Sequence, residues 1–151
     1  MLIINKTIVH PCDAKIGDVD IDVRDIAHAL SNICCYYGRT KVFYSYAEHS
    51  LRLSQNVPPE DKLWALMSCA WRSFGARTMQ KHVEEHLHIG MQRSNKTDGI
   101  YRTLLATEQR DLLGMKLNDD AAKDWRIRPL DAGTVVVDFI NHYEALKHGL
   151  N

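Results

Sequence analysis

The stretch 20–53, which reads DIDVRDIAHALSNICCYYGRTKVFYSYAEHSLRL, decides the fold because it predicts two helices joined by an aromatic and cationic turn. Gly38 ends the first segment, and Ser45 followed by Glu48 is the capping-box pattern that begins a helix. We expect His28 in the first helix and His49 in the second to lie on inward faces. The apolar positions of the first helix recur at helical spacing: Val23, Ile26, Ala27, Leu30 and Ile33.

The rest of the chain shows further helical patterns. Pro58 and Pro59 suit the first turn of a helix, and the segment from Glu60 to Phe74 is apolar nearly all round, which predicts one central buried helix. Weak alternation from Met1 to Pro11 predicts a short strand or hairpin. We therefore predict one all-α domain over residues 1–151, a bundle of about six helices. The other helices are expected over Thr78–Met91, Thr97–Leu113 with Gly114 as C-cap, and Asp131–Lys147.

The composition limits the kinds of protein to which this chain could belong. The chain has 151 residues, 45% of them hydrophobic, which suits one core. Lys+Arg and Asp+Glu balance at 19 each, so there is no strong nucleic-acid signal and no overall attraction to anionic lipid. No apolar run approaches the ~20 residues of a membrane helix, and no targeting segment is recognisable, so a cytoplasmic location is expected. Without C-x-x-C spacing, the four cysteines are expected to be reduced thiols: Cys12, Cys34, Cys35 and Cys69.

Four segments of the chain resemble the small HD-domain phosphohydrolases of bacteria and their phages, a group related to the 5'-deoxynucleotidases. The resemblance runs from about Val19 to Leu146 in the expected order. It implies an HD-domain-like helical bundle and a divalent metal held by a first His, a His-Asp pair on the central helix and a later Asp. In that family, the bound metal lowers the pKa of a water that attacks phosphorus. The segments read DIDVRDIAHALSNIC, YGRTKVFYSYAEHSLRLS, VPPEDKLWALM and LLATEQRDLL.

The metal motif is degenerate in this sequence. By the resemblance, the first metal-binding His falls at His49, the His-Asp pair falls at Ser68 and Cys69, and the late Asp falls at Tyr101. Arg72 stands where a helping Glu usually lies. One imidazole with a hydroxyl, a thiol and a phenol cannot replace a His2Asp2 set. We therefore expect no metal cofactor and no metal-dependent hydrolysis at this site.

Two arginines suggest a different ligand. By the resemblance, a phosphate-facing Arg falls at Cys35 and a nearby His falls at Arg39. If Arg39 and Arg72 face the former metal cavity, their forked donors suit a phosphate, and His28 and His49 join them as candidate ligand-binding residues. The alternative is that Arg39 lies in a solvated turn, that Arg72 lies on a helix edge and that His28 is a satisfied core residue.

Two further patterns have ordinary alternatives. The segment from His82 to His86 matches the H-x-x-E-H pattern of inverted zinc peptidases, but a third ligand is missing and a solvated helix face is favoured. Trp125, beside Arg126 and Arg128, is a candidate anchor for a protein partner, since Trp and Arg are enriched in interface hot spots. Such a Trp can also simply cover a core edge.

Two functional hypotheses follow. The first is a pseudoenzyme, a binding or regulatory protein with a protein partner and a nucleotide or phosphate as cue. Because phages carry many members of the family, the resemblance extends this to a phage-encoded inhibitor of a host enzyme or defence system, in the bacterial or host cytoplasm. Homodimers are common in the family, so a homodimer is compatible with it. The second is a divergent metal-dependent phosphohydrolase acting on (deoxy)nucleotides, which recruits His28, His49 and either Asp98 or Glu108.

Overall fold

The computed structural model describes residues 2–4, 7–9, 21–90, 93–116 and 121–149. The chain begins with two short strands, β1 (Leu2–Ile4) and β2 (Thr7–Val9), which pair antiparallel where the sequence predicts a strand or hairpin. Cys12 lies outside the described residues, as does Met91, the expected end of the fourth helix.

Within the described residues, six α-helices form the body of the molecule, which confirms the prediction of a mainly helical fold. The turn Cys35–Gly38 separates the first two helices, and 3₁₀ segments at Pro59–Asp61 and Ala70–Phe74 flank the third. No helix in the described ranges is both long enough and apolar enough to span a bilayer. The helices are α1 (Val23–Asn32), α2 (Tyr46–Asn56), α3 (Lys62–Met67), α4 (Met79–His86), α5 (Asn95–Leu113) and α6 (Ala132–Lys147).

Side-chain caps begin four of these helices. The predicted cap Ser45 accepts a hydrogen bond from the N–H of Glu48 at 3.1 Å, which confirms the predicted start of α2. Asp22, Ser94 and Asp131 accept in the same way at the starts of α1, α5 and α6. Each cap satisfies a backbone donor at a helix end and contributes about 1 kcal/mol. The first residues of these four helices are therefore determined by local sequence.

Helix α2 lies at the centre of the bundle. It packs against α1, α3, α5 and α6, while α1 and α6 also pack against each other. Its apolar side divides between two core clusters, with Ala47 and Leu51 in one and Leu53 and Val57 in the other. Any side chain that α2 turns toward α5 is therefore held on a well-packed scaffold.

The expected single helix from Glu60 to Phe74 is wrong. The α-helix ends at Met67, and the chain continues through Ser68 and Cys69 into a 3₁₀ segment. The Ser68 hydroxyl donates to the carbonyl of Ala65 at 2.8 Å, a local bond that competes with helix geometry. Gln80 then bridges the break: its amide donates to the Met67 carbonyl at 3.0 Å and accepts from the Trp71 N–H at 3.1 Å.

Candidate functional site

A solvent-open cavity of about 260 Å³ lies between the turn Cys35–Gly38, helix α2, the break after α3 and helix α5. Five of the residues to which the resemblance assigned a role lie in its wall. These residues, which are distant in sequence, therefore lie close together in the structure. Its lining residues are Cys35, Tyr36, Tyr37, Tyr46, His49, Cys69, Arg72, Tyr101, Leu105 and Glu108.

Glu108 is the hydrogen-bonding centre of this wall. Its side chain is 0% exposed, and its Oε1 lies 2.7 Å from Nδ1 of His49. The hydroxyl of Tyr44 donates to Oε1 at 2.8 Å, and the hydroxyl of Tyr36 donates to Oε2 at 2.6 Å. A buried carboxylate needs several donors, and here three side chains supply them. The arrangement ties the turn, the start of α2 and the middle of α5 together.

The local sequence sets this geometry. Ser45 caps α2 and fixes its first turn, so His49 follows one turn later on the face that packs against α5. Tyr44 comes just before α2, and Tyr36 lies within the turn Cys35–Gly38. An isolated antiparallel bridge between Cys34 and Ser45 holds the two ends of the connecting loop side by side.

Both tyrosine hydroxyls stay protonated over the ordinary pH range. Burial raises the pKa of Tyr44 far above its usual value, and the neighbouring Glu108 charge raises it further. Burial and then the same carboxylate also raise the pKa of Tyr36. These hydroxyls are therefore fixed donors to Glu108.

Arg72 brings a positive charge to the cavity. Its guanidinium carbon lies 4.0 Å from the centre of the Tyr46 ring and 4.3 Å from that of the Trp71 ring. Its Nε is buried and has no hydrogen-bond partner among the described residues. Stacking on two rings positions a guanidinium without using its N–H groups. Because Arg72 lines the cavity, its half-buried side chain places this positive charge in the cavity wall.

The thiols in the wall are poor nucleophiles. Burial raises the pKa of Cys35 strongly, and the Glu108 charge adds to the effect. Burial also raises the pKa of Cys69, although hydrogen bonds and the charge of Arg72 oppose the rise. Only the thiolate is the attacking nucleophile, and these thiols stay neutral.

The residues present do not fit the divalent metal that the resemblance implies. The Glu108 oxygens already lie at hydrogen-bond distance from three side chains, the hydroxyls of Tyr36 and Tyr44 and Nδ1 of His49. The Ser68 hydroxyl is turned to a backbone carbonyl. Across the described ranges, no group of three or more His, Cys, Asp or Glu side chains is placed to hold a metal ion.

Of the other predicted site residues, Tyr101 lies in the cavity wall, whereas His28, Arg39 and Asp98 do not line the cavity. His28 is exposed on α1, so the prediction of an inward face is wrong: the buried stripe runs through Ile26, Ala27 and Leu30 instead. Arg39 is exposed in the turn, over the ring of Tyr37 at 5.8 Å. Tyr101 meets the His49 ring edge-on at 5.9 Å, and Asp98 pairs with Arg93 rather than with the cavity residues.

For the two remaining sequence patterns, the observed positions agree with the alternatives that assign them no site. His82 and His86 are both exposed on α4, as the solvated-face alternative expected. Trp125 is half-buried against a core cluster, so it covers a core edge and is not a freely exposed anchor. Arg126 is exposed and donates to Asp111 at 2.8 Å, and Arg128 is exposed. Partner binding by these residues stays a prediction.

Sequence analysis missed the role of Glu108 and of the two tyrosines that donate to it. Glu108 was named only as an alternative, and neither Tyr36 nor Tyr44 was singled out. The available signal was the occurrence of Glu108 inside the resembled segment LLATEQRDLL. A buried Glu on a helix needs donors, and two nearby tyrosines were candidates.

Comparison with known proteins finds a relative but does not show a family. No family model matches the chain. Over 116 residues the chain is 33% identical to the uncharacterized protein YfdR of Escherichia coli strain K12. The match covers 65% of this chain and 65% of the length of YfdR. The name of that relative states no activity, so the function rests on the geometry of the site.

Proposed function

We propose that this chain is a catalytically degenerate HD-domain-like protein whose cavity binds a nucleotide or another phosphate-bearing ligand without turning it over. Its role would be that of a binding or regulatory protein. The observation that carries the proposal is the half-buried side chain of Arg72, which lines the cavity and whose guanidinium is stacked on two aromatic rings. A forked cation of this kind is well suited to phosphate.

The charges around Arg72 favour an anion. The cavity thiols are neutral because burial raises the pKa of both Cys35 and Cys69. Glu108 is negative when ionised, but its oxygens already accept from three donors. The cavity therefore presents a ligand with the positive charge of Arg72, while its carboxylate is engaged with protein groups.

The donor set argues against hydrolysis through a divalent metal. Such an ion would need oxygen or imidazole ligands that converge on one point. At the positions assigned by the resemblance, this chain supplies the hydroxyl of Ser68, the thiol of Cys69 and the phenol of Tyr101 beside His49. Arg72 adds a positive charge next to them, which repels a cation.

Calorimetric titration with a deoxynucleoside monophosphate in EDTA tests the proposal. The native protein should bind, and Arg72→Gln should weaken binding about tenfold or more, the effect of removing a charge-assisted hydrogen bond. Arg77→Gln is the matched control, because Arg77 also lies over the Trp71 ring but is exposed and does not line the cavity. Equal losses in both variants, or no binding by the native protein, would contradict the proposal.

A divergent phosphohydrolase is the second candidate, and the contact of His49 with Glu108 favours it. A carboxylate on Nδ1 orients an imidazole for acid–base work. Phosphate release from deoxynucleotides should be assayed with Mn²⁺ and Co²⁺ added, for the native protein and His49→Gln. Turnover that is lost in His49→Gln would establish this candidate and remove the first. Absence of turnover by the native protein would remove it.

A further inference from the structure

The turn beside the cavity contains three consecutive residues in the left-handed backbone region. Tyr36 and Tyr37 both have φ of 54°, and Gly38 has φ of 74°. Glycine adopts this region freely, but a residue with a Cβ does so at a cost in free energy. Two adjacent tyrosines in this conformation therefore need a compensating interaction.

Part of the compensation is visible at Tyr36. Its hydroxyl donates to Glu108 at 2.6 Å, which links the turn to the buried centre of the site. The turn is also held at both ends: Cys35 N–H donates to the Tyr44 carbonyl at 2.8 Å, and Lys41 N–H donates to the Leu112 carbonyl at 3.0 Å. The conformation is thus fixed before any ligand arrives.

Tyr37 has no comparable role in the fold. Its side chain is 87% exposed and belongs to neither core cluster, yet it lines the cavity. The guanidinium of Arg39 lies over its ring at 5.8 Å. Because the ring is so exposed, much of its surface is open. The strained backbone holds the Tyr37 ring at the mouth of the cavity. In this position the ring makes no contact with either core cluster.

We propose that Tyr37 is the stacking wall of this cavity and selects a ligand that carries a planar aromatic ring in addition to its phosphate. The inference rests on the proposed function, and it assigns two chemical parts of one ligand to two residues. Arg72 binds the anion, and Tyr37 stacks on the ring. Rigid placement of Tyr37 before binding lowers the ordering cost of that contact.

Three probes separate the two parts of the ligand. Calorimetric titrations should use deoxyadenosine monophosphate, deoxyribose 5-phosphate, which lacks the ring, and inorganic phosphate. For the native protein, the ring-bearing probe should bind about tenfold or more tightly than deoxyribose 5-phosphate, the size of effect expected for ring stacking. Tyr37→Phe should keep this preference, and Tyr37→Leu should abolish it without changing the affinity for deoxyribose 5-phosphate.

Phe43→Leu is the matched control, because Phe43 is an exposed aromatic residue of the same loop that does not line the cavity. It should keep the preference for the ring. The Tm of Tyr37→Gly separates a role in ligand binding from a role in the fold. If the ring stabilised the fold, its removal would lower the Tm. Relief of the left-handed strain should leave the Tm unchanged or raise it, although the ring preference is lost.

The outcomes distinguish this inference from the proposed function. If deoxyribose 5-phosphate binds through Arg72 but the ring adds no affinity, the stacking role fails and the phosphate site stands. An unchanged ring preference in Tyr37→Leu has the same meaning. A Tm lowered by more than about 4 °C in Tyr37→Gly would show that the ring supports the fold, and would overturn the inference. Absence of binding by all three probes overturns both.

Discussion

Nδ1 of His49 lies 2.7 Å from Oε1 of Glu108, and both side chains are buried between α2 and α5. The contact joins the histidine that the resemblance assigned to a metal with a carboxylate that two tyrosine hydroxyls also approach. Glu108 thus fixes the orientation of the imidazole and the position of the turn that borders the cavity. The stability of the site should depend on this carboxylate more than on any other group in the wall.

Glu108→Gln should lower the free energy of unfolding by about 2 kcal/mol. The change keeps the size of the side chain but replaces charge-assisted hydrogen bonds in a buried position and adds donors that face other donors. Urea unfolding followed by circular dichroism measures the effect. Glu144→Gln is the control, because Glu144 pairs with His148 on the exposed side of α6 and should change stability by less than about 0.5 kcal/mol. Equal stability of the two variants would contradict the role given to Glu108.

A double-mutant cycle should show coupling between His49 and Glu108. The variants His49→Gln, Glu108→Gln and their combination should give a coupling free energy of about 1 kcal/mol or more, because the two side chains share a buried hydrogen bond. The same unfolding measurements supply it. Additive losses would mean that the two residues do not act as a pair.

Gln80→Ala should destabilise the protein by about 1–2 kcal/mol. The side-chain amide of Gln80 forms hydrogen bonds with the Met67 carbonyl and the Trp71 N–H at the break after α3. It also donates to Glu84 at 2.8 Å. Its loss leaves half-buried backbone groups without partners. Gln55→Ala, at an exposed position of α2, is the matched control and should be neutral or slightly stabilising because alanine favours helix. Thermal unfolding of both variants tests this.

Asp111 should make the stability fall in acid. Burial disfavours its charge, but hydrogen bonds from the Arg110 side chain, the Ile127 N–H and the Arg126 side chain outweigh this and lower its pKa to about 2. Because the folded pKa lies below the unfolded one, the ionised carboxylate stabilises the fold above about pH 4, and this contribution of about 1–2 kcal/mol is lost as the pH falls toward 2.

Asp111→Asn should therefore be less stable than the native protein at pH 7, with a difference that shrinks between about pH 4 and 2. Urea unfolding across this range measures it. A stability difference that stays constant over the range would show that Asp111 has an ordinary pKa in the folded protein.

Much of the helical scaffold could be predicted because it is encoded locally. Ser45 with Glu48 fixed the start of α2, and Gly114, with φ of 68°, ends α5 where the sequence placed its C-cap. The break at Ser68 could not be predicted from apolar patterning, since it depends on Gln80, which reaches it from another helix.

The site was less predictable than the scaffold, because it depends on contacts between residues distant in sequence. The inward face of His49 followed from periodicity, but His28 showed that a residue beside an apolar stripe can lie outside it. Neither the convergence of two tyrosines on Glu108 nor the left-handed backbone of Tyr37 has a local sequence signal, since tyrosine rarely adopts that conformation.

The most direct test of the central claim is a crystal structure of the protein grown with deoxyadenosine monophosphate and Mn²⁺, with anomalous data collected at the manganese edge. The account predicts a phosphate within hydrogen-bond distance of the Arg72 guanidinium and no anomalous peak at His49. An anomalous peak bonded to the imidazole of His49 and to at least two further side chains would contradict it.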